Sequence, residues 1–461
     1  MFDDTTYTQS HEIALATDLY QLTMGASYHA LGMQQTATFS LFVRRLPKNR
    51  AYLVVAGVNR ALERLRDLRF DAGAIDYLRS TGQVRDDFLD ILHELRFEGD
   101  VWAVPEGRVV FGGEPIVEVT APMIQAQLAE TMLINTLHFS TAVASKAARC
   151  VAAAPGKQLI EFGLRRTASI DAAVEVARVS YLTGFAATSN LLAGERYGIP
   201  VAGTVAHSFI QAFPNETDAF RAFARTFPGP VTLLIDTYDP IQGTRHAAAV
   251  ARELASEGCE LGAIRIDSGD LVAVSRAARQ ILDAAGLTET KIIASGGLDE
   301  IDLMELTGAN VPVDGYGIGT QLGSVVDAPT LDMVYKLVEF DGRPALKLSS
   351  GKQTLVGPKQ VWRGTGADGR FTRDIIAARD EPSPGNTWQP LLELALTDGT
   401  IHADLSLEQA RARHRAELAL LPLDILRLGG KHASYPVEIS ATLSARQQAA
   451  VDAVRLREGL R

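Results

Sequence analysis

The densest run of reactive side chains in this 461-residue chain is Arg265-Ile-Asp-Ser-Gly-Asp. Strand alternation puts Arg265 and Asp267 on one side and Ile266 on the other. A strand-end carboxylate accepts hydrogen bonds from vicinal sugar hydroxyls or holds Mg²⁺, and a neighbouring guanidinium grips a carboxylate or phosphate with two parallel bonds. A structural ion pair would read the same. Leu234-Ile-Asp-Thr-Tyr-Asp sets Asp236 at the end of an apolar run, where a buried carboxylate needs a partner. His207, one run earlier, is the expected partner, because an aspartate fixes the tautomer of an imidazole and raises its basicity. A lone histidine is otherwise more often structural.

Arg165 and Arg166 follow Glu161-Phe-Gly-Leu. Two adjacent cations suit an anionic ligand, or pair with Glu161 or Asp171. Phe162 serves as core or as a stacking face for a flat ring. Thr188, Ser189 and Asn190, and further on Thr204, put hydroxyl and amide groups at the ends of two more runs. Ser295-Gly296-Gly297 and Gly317-Ile-Gly319-Thr320 end the last two. Glycines let backbone N–H groups approach an oxyanion, and loops after the final strands of a β/α barrel commonly hold phosphate. Each motif alone reads as a tight turn; as a pair they point to phosphate.

What must position these groups is a rhythm of short apolar runs and helical stretches. The runs are Gln158–Gly163, Phe185–Ser189, Val201–His207, Val231–Asp236, Gly262–Asp267, Lys291–Ser295 and Gly315–Gly319. Such alternation predicts parallel strands with crossover helices, and the even spacing predicts a closed or nearly closed barrel. All the groups above then fall on one rim, at the carboxyl ends of the strands. Before this region the sequence predicts helices over Asp18–Leu31, Tyr52–Leu65 and Ala74–Ser80, a strand over Ala37–Arg44 and a small antiparallel unit over 99–122. Strands return after about residue 330, and a serine-capped helix begins at Ser440. The expected domains are an α/β sandwich over 1–140, completed by 335–395, a β/α barrel over 141–334, and a helical extension over 396–461.

Composition limits the alternatives. Lys plus Arg number 45 and Asp plus Glu 55, a formal charge of −10, which argues against a general nucleic-acid surface. The two cysteines, Cys150 and Cys259, have no metal-type spacing and point to a reducing compartment. No secretory or transit signal is visible at the amino terminus. Met123 to Ala154 is apolar but broken by polar residues, so it reads as buried helix rather than a membrane span. A cytoplasmic protein is expected.

The motifs together resemble the nicotinate phosphoribosyltransferases. They are Thr17-Asp-Leu-Tyr-Gln, Glu161-Phe-Gly-Leu-Arg-Arg, Gly203-Thr-Val-Ala-His-Ser, Leu234-Ile-Asp-Thr-Tyr-Asp, Ile264-Arg-Ile-Asp-Ser-Gly-Asp-Leu, Ala294-Ser-Gly-Gly-Leu and Tyr316-Gly-Ile-Gly-Thr, followed by Lys352 and Lys359-Gln-Val-Trp-Arg. The resemblance implies the type II phosphoribosyltransferase fold: an incomplete TIM-like β/α barrel plus a discontinuous α/β sandwich domain, in a homodimer with shared active sites. It implies transfer of the phosphoribosyl group of phosphoribosyl pyrophosphate to nicotinate, with ATP as co-substrate acting through a phosphohistidine at His207, and Mg²⁺ as cofactor. Tyr20 of a second subunit and Phe162 would sandwich the pyridine ring. Arg265 or Arg165 would take its carboxylate, Asp267 the ribose hydroxyls, and Ser295, Gly296, Gly297, Gly317, Gly319 and Thr320 the 5-phosphate. Asp236 would orient His207, with Thr204, Ser189 and Asn190 lining the substrate site. Arg44, Arg45 and Lys146 match further phosphate contacts. Similar nicotinamide enzymes carry an aspartate where this chain has Ser189, which favours the acid over the amide. The competing expectations are a quinolinate or nicotinamide phosphoribosyltransferase, a phosphosugar isomerase or aldolase on a full barrel, and a non-catalytic scaffold.

Overall fold

The structure, a computed structural model, describes residues 10–227, 229–349, 354–428 and 434–460. Lys352 therefore lies outside the described residues. The chain divides into two compact units, residues 1–145 with 327–461, and residues 146–326.

The 146–326 unit is built on a six-stranded parallel sheet. Its spatial order is Ala187–Thr188, Gln158–Glu161, Gly315–Ile318, Lys291–Ala294, Leu261–Ile266 and Val231–Leu234. The middle strands carry Ile264, Ile266, Ile292 and Ile318, all buried, as strands covered on both faces require. Its helices start where the sequence supplies caps. Ser169, Asp239 and Asp270 accept backbone N–H bonds at the starts of Ile170–Thr183, Pro240–Leu254 and Leu271–Ala284. Asp299 and Asp302 form a capping box on Glu300–Gly308. Each cap contributes about 1 kcal/mol. Asp239 and Asp270, polar rim residues by sequence, are thus engaged in ending loops and starting helices.

Seven apolar runs give six strands. The Val201–His207 run makes a single parallel bridge, Thr188 to Val201, and then leaves the sheet for the short helix His207–Gln211. Gly203 in its middle weakens it as a strand. The barrel is consequently incomplete, open beside this run.

The other unit holds a seven-stranded sheet in the order Arg343–Pro344, Met333–Phe340, Thr36–Val43, Pro115–Pro122, Asp100–Ala103, Glu393–Thr397 and Thr400–Ile401. Thr36–Val43 is an interior strand, antiparallel to both neighbours and buried at seven of its eight positions. A four-stranded sheet runs Trp388–Pro390, Lys359–Thr365, Phe371–Ala378 and Val437–Ile439. Segments 327–349 and 354–428 therefore complete the sheet that the amino-terminal residues begin. Residues past 396 also belong to this unit: Val437–Ile439 pairs with Phe371–Ala378, and the helices Leu407–Leu420 and Ala441–Arg457 flank the sheets' strands in sequence. The helix expected over Tyr52–Leu65 starts only at Val58, because Leu53–Val54 pairs with Val109–Val110 and Gly57, at φ 89°, donates its N–H to Glu106. Met123–Ala153 is one 31-residue helix, and among the described residues no helix is long and apolar enough to cross a membrane.

Two buried polar features of this unit carry stability. Arg363, with no exposed side chain, holds Asp374 with Nε and Nη2 (3.0 and 2.6 Å) and Glu417 with Nη1 (2.8 Å). Tyr435 donates to the same Asp374 (3.0 Å), and burial with the nearby Asp374 charge pushes Glu114 well above the usual carboxylate range.

His414 is the second. It is buried on Leu407–Leu420, its Nδ1 donates to the Gly107 carbonyl at 3.1 Å, and its Nε2 has no partner among the described residues. Burial pulls its pKa down to about 4. The unfolded chain, with an ordinary imidazole pKa of about 6.5, therefore takes up this proton first. Stability is complete above about pH 6.5 and falls as pH drops toward 4, by about 3 kcal/mol in full. We predict that His414→Leu loses about 2 kcal/mol less than the native chain between pH 7 and pH 5, measured by denaturant unfolding at both pH values. Equal losses would refute it.

Candidate active site

Phe162, Arg165, Ser189, Thr204, His207, Arg265 and Asp267 line one cavity of about 840 Å³. Arg265, on the Leu261–Ile266 strand, is its hub. Nε donates to Ser295 Oγ (2.8 Å), Nη1 to Thr204 Oγ1 (3.0 Å) and Nη2 to Asp267 Oδ1 (2.6 Å), while the guanidinium carbon lies 5.4 Å from the Phe162 ring centre. Ser295 Oγ also donates to Asp267 Oδ1 at 2.5 Å. Burial acts to raise the Asp267 pKa, but the Ser295 hydroxyl and the Arg265 charge outweigh it and hold the carboxyl below the usual range. Its second oxygen, Oδ2, lies 3.9 Å from His207 Nε2. The result is a fixed anion with one oxygen committed and one left toward the imidazole.

His207 lines the cavity, and its Nδ1 meets Thr237 Oγ1 at 3.2 Å. The expected Asp236–His207 pair is not formed. Asp236 Oδ2 instead accepts from the Asp267 backbone N–H (2.9 Å) and from Ser268 Oγ (2.6 Å), and its Oδ1 is buried without a partner among the described residues. The reason is geometric: the backbone of the next strand end comes closer to this carboxylate than the histidine on its detached run. Asp236 thus shapes the Asp267 turn, and Thr237 is the group that sequence reading missed beside the imidazole. A threonine hydroxyl gave no signal distinct from any strand-end threonine.

Phe162, Arg165, Ser189 and Thr204 also line the cavity. Arg165 is exposed on the turn Leu164–Arg166 and, like Arg166, forms no ion pair among the described residues with Glu161 or Asp171. Asn190 does not line the cavity. It is buried and caps the helix Leu191–Tyr197 through Oδ1 to the Ala193 N–H (3.2 Å). Leu164, Leu191, Val201, Phe223, Phe227 and Leu234 supply an apolar wall. Phe223 lies on the helix Glu216–Thr226 and Phe227 caps its carboxyl end.

Packing accounts for two of the glycines. A Cβ at Gly317 would lie 2.5 Å from two carbons of the Phe162 ring, and one at Gly319 would lie 2.8 Å from the Phe162 carbonyl oxygen. Gly296 and Gly297 are exposed at positive φ (110° and 77°) beside the buried Ser295, and Thr320 is exposed just after Gly319. In the other unit Tyr20 is 47% exposed, with its hydroxyl 3.2 Å from Glu130. Arg44 and Arg45 line a separate cavity of about 310 Å³ there, with Gly112, Gly113 and Lys359. Lys146 is not available as a phosphate contact: its side chain is 1% exposed and pairs with Glu300 at 2.6 Å, beside Arg149.

A flat wall, fixed cations, a held carboxylate and an imidazole in one cavity suit a ring-plus-sugar ligand with anionic substituents. Residues 15–138 match the nicotinate phosphoribosyltransferase N-terminal domain, and residues 157–361 match the nicotinate phosphoribosyltransferase family. A nicotinate phosphoribosyltransferase of Mycobacterium tuberculosis is 47% identical over 435 residues, covering 94% of this chain and 92% of its own. The chain belongs to the nicotinate phosphoribosyltransferase family.

Homologues of this enzyme extend to Homo sapiens, whose nicotinate phosphoribosyltransferase is 32% identical over 524 residues, 95% of this chain and 96% of its own. The crystal structure of human nicotinic acid phosphoribosyltransferase matches with a TM-score of 0.85, at 31% identity, over 94% of this chain and 99% of that one. The type II phosphoribosyltransferase fold, an incomplete β/α barrel with a discontinuous α/β sandwich, is thus established for this phosphoribosyltransferase. Nicotinate-nucleotide pyrophosphorylase from Pyrococcus furiosus, at 22% identity and a TM-score of 0.73 over 91% of this chain and 98% of that one, shares the fold.

Proposed function

We propose that this enzyme transfers the phosphoribosyl group of phosphoribosyl pyrophosphate to nicotinate, giving nicotinate mononucleotide and pyrophosphate for NAD synthesis, coupled to ATP hydrolysis through phosphorylated His207. The observation that carries the reading is the Arg265 hub, which ties Asp267, Ser295 and Thr204 together beside Phe162. Displacement at the ribose C1 develops positive charge on the sugar. Asp267, held ionised, accepts from the ribose hydroxyls and stabilises that charge. Phe162 offers its face to the pyridine ring, and Arg165 is the exposed cation suited to the nicotinate carboxylate. Ser295 with the Gly296, Gly297, Gly319 and Thr320 backbone suits the 5-phosphate.

Mg²⁺ fits this set as an ion that keeps most of its ligands from water and substrate phosphates. Among the described residues no three His, Cys, Asp or Glu side chains cluster for a metal; the held carboxylate of Asp267, which lines the cavity, would be the protein group to hold it. When bound, Mg²⁺ would neutralise the departing pyrophosphate. In a homodimer with shared sites, Tyr20 would cover the ring from the second copy. Ser189 in place of a carboxylate favours nicotinate over nicotinamide, and the mainly apolar wall disfavours the second carboxylate of quinolinate. Cys150 and Cys259, neither of them in a disulfide among the described residues, fit the cytoplasm.

The test is nucleotide formation with nicotinate, nicotinamide and quinolinate, with and without ATP; ATP-stimulated release of pyrophosphate is expected with nicotinate alone. Incubation with γ-labelled ATP is expected to label the native enzyme and not His207→Ala, and equal labelling would refute the phosphohistidine. Gly317→Ala should raise the KM for nicotinate by about tenfold or more, since the added methyl displaces the Phe162 ring and overpacking costs about 1–3 kcal/mol. An unchanged KM would remove Phe162 from the substrate wall.

A further inference from the structure

Glu161 ends the first barrel strand, and its side chain is buried and absent from the cavity lining. Among the described residues it has no cationic partner. Its two oxygens are divided. Oε1 accepts the Gly163 backbone N–H, and Oε2 accepts the Thr188 hydroxyl at 2.6 Å. Thr188 Oγ1 in turn accepts the Asn190 N–H at 3.0 Å. The Glu161 backbone carbonyl takes the Ser189 N–H (2.9 Å), and the Phe162 N–H goes to Ile318 on the other side (2.8 Å).

One carboxylate therefore joins two strand ends. One leads into the turn that presents Phe162, Leu164 and Arg165 to the cavity, and the other presents Ser189. The turn is built around this contact: a Cβ at Gly163 would lie 2.7 Å from Glu161 Oε1. A buried carboxylate without a cation is costly, and burial accordingly pushes its pKa up. A glutamine would be cheaper to bury, but it offers one acceptor oxygen where the carboxylate offers two. The arrangement makes sense where the relative placement of the two ends matters.

We infer that Glu161 is a positioning residue for the pyridine subsite, acting as a two-sided clamp that fixes the Phe162–Arg165 wall against the Ser189 strand end. This rests on the functional reading above for the identity of the ligand but not for the clamp. Misplacing a substrate wall by about an ångström lowers productive binding by ten- to a hundredfold. Glu161→Ala should raise the KM for nicotinate by about tenfold or more, and leave the KM for phosphoribosyl pyrophosphate within about twofold. Glu161→Gln, which keeps the shape and one acceptor, should recover most of that loss. Equal rises in both KM values, or none, would overturn the inference, because a general loss of structure would not select one substrate.

If Glu161→Ala does not fold, Thr188→Val isolates the Thr188 arm of the clamp, and an unchanged KM for nicotinate in that variant refutes the inference. Hydrogen exchange at the amides of residues 162–166 gives a readout independent of turnover. Faster exchange confined to this turn in Glu161→Ala supports the clamp, and native protection there sinks it. A native enzyme that forms no nucleotide from nicotinate would sink the functional reading, while the exchange result would still decide the clamp.

Discussion

Asp267→Asn is expected to lower kcat/KM about a thousandfold, equivalent to about 4 kcal/mol of transition-state stabilisation. The substitution keeps the size and removes the charge. In the native site Oδ1 is held by Arg265 and Ser295 at 2.6 and 2.5 Å, and Oδ2 lies toward His207 at 3.9 Å. The anion is therefore preorganised, and it spends no reorganisation energy when positive charge develops on the sugar. An amide cannot supply that field: its oxygen would take both donors at the Oδ1 position, and its NH₂ would stand toward His207 in place of the second carboxylate oxygen. The loss should appear mainly in kcat, since a charge that grows only in the transition state is felt there. Steady-state kinetics beside a thermal melt would check it. A variant within tenfold of native kcat/KM, with an unchanged melt, would remove Asp267 from the chemistry.

The largest stability effect belongs to Arg363. Arg363→Met should cost about 3–5 kcal/mol, because it leaves Asp374 and Glu417 buried without their cation. The neighbouring Glu114, already pushed toward its neutral form, adds a carboxyl to the same place. A fall in Tm of about 10 °C is the expected readout for a unit of this size. Pairing it with Asp374→Leu should recover part of the loss, since the penalty lies in the stranded charge more than in the missing bond. A melt within 2 °C of native for Arg363→Met would show that the carboxylates find other partners.

The sequence alone determined the β/α rhythm, the single rim on which the reactive groups fall and the helix start at Ser440, because alternation, apolar periodicity and capping act over a few residues. Arg265 beside Asp267 was legible for the same reason, as was the apolar run leading to Asp236. Contacts between elements were not. Asp236 reaches the Asp267 turn 31 residues on rather than His207, Lys146 is taken by Glu300 across 154 residues, and Asn190 is turned inward as a cap. Lys359 read as a family match, yet it is buried against Glu118, 2.9 Å away and 241 residues earlier in the chain. Side-chain type limits the possible partners of a charge, but which partner it meets depends on which backbones the sheet order brings within about 3 Å. That is a property of the packed chain and is written in no local stretch of it.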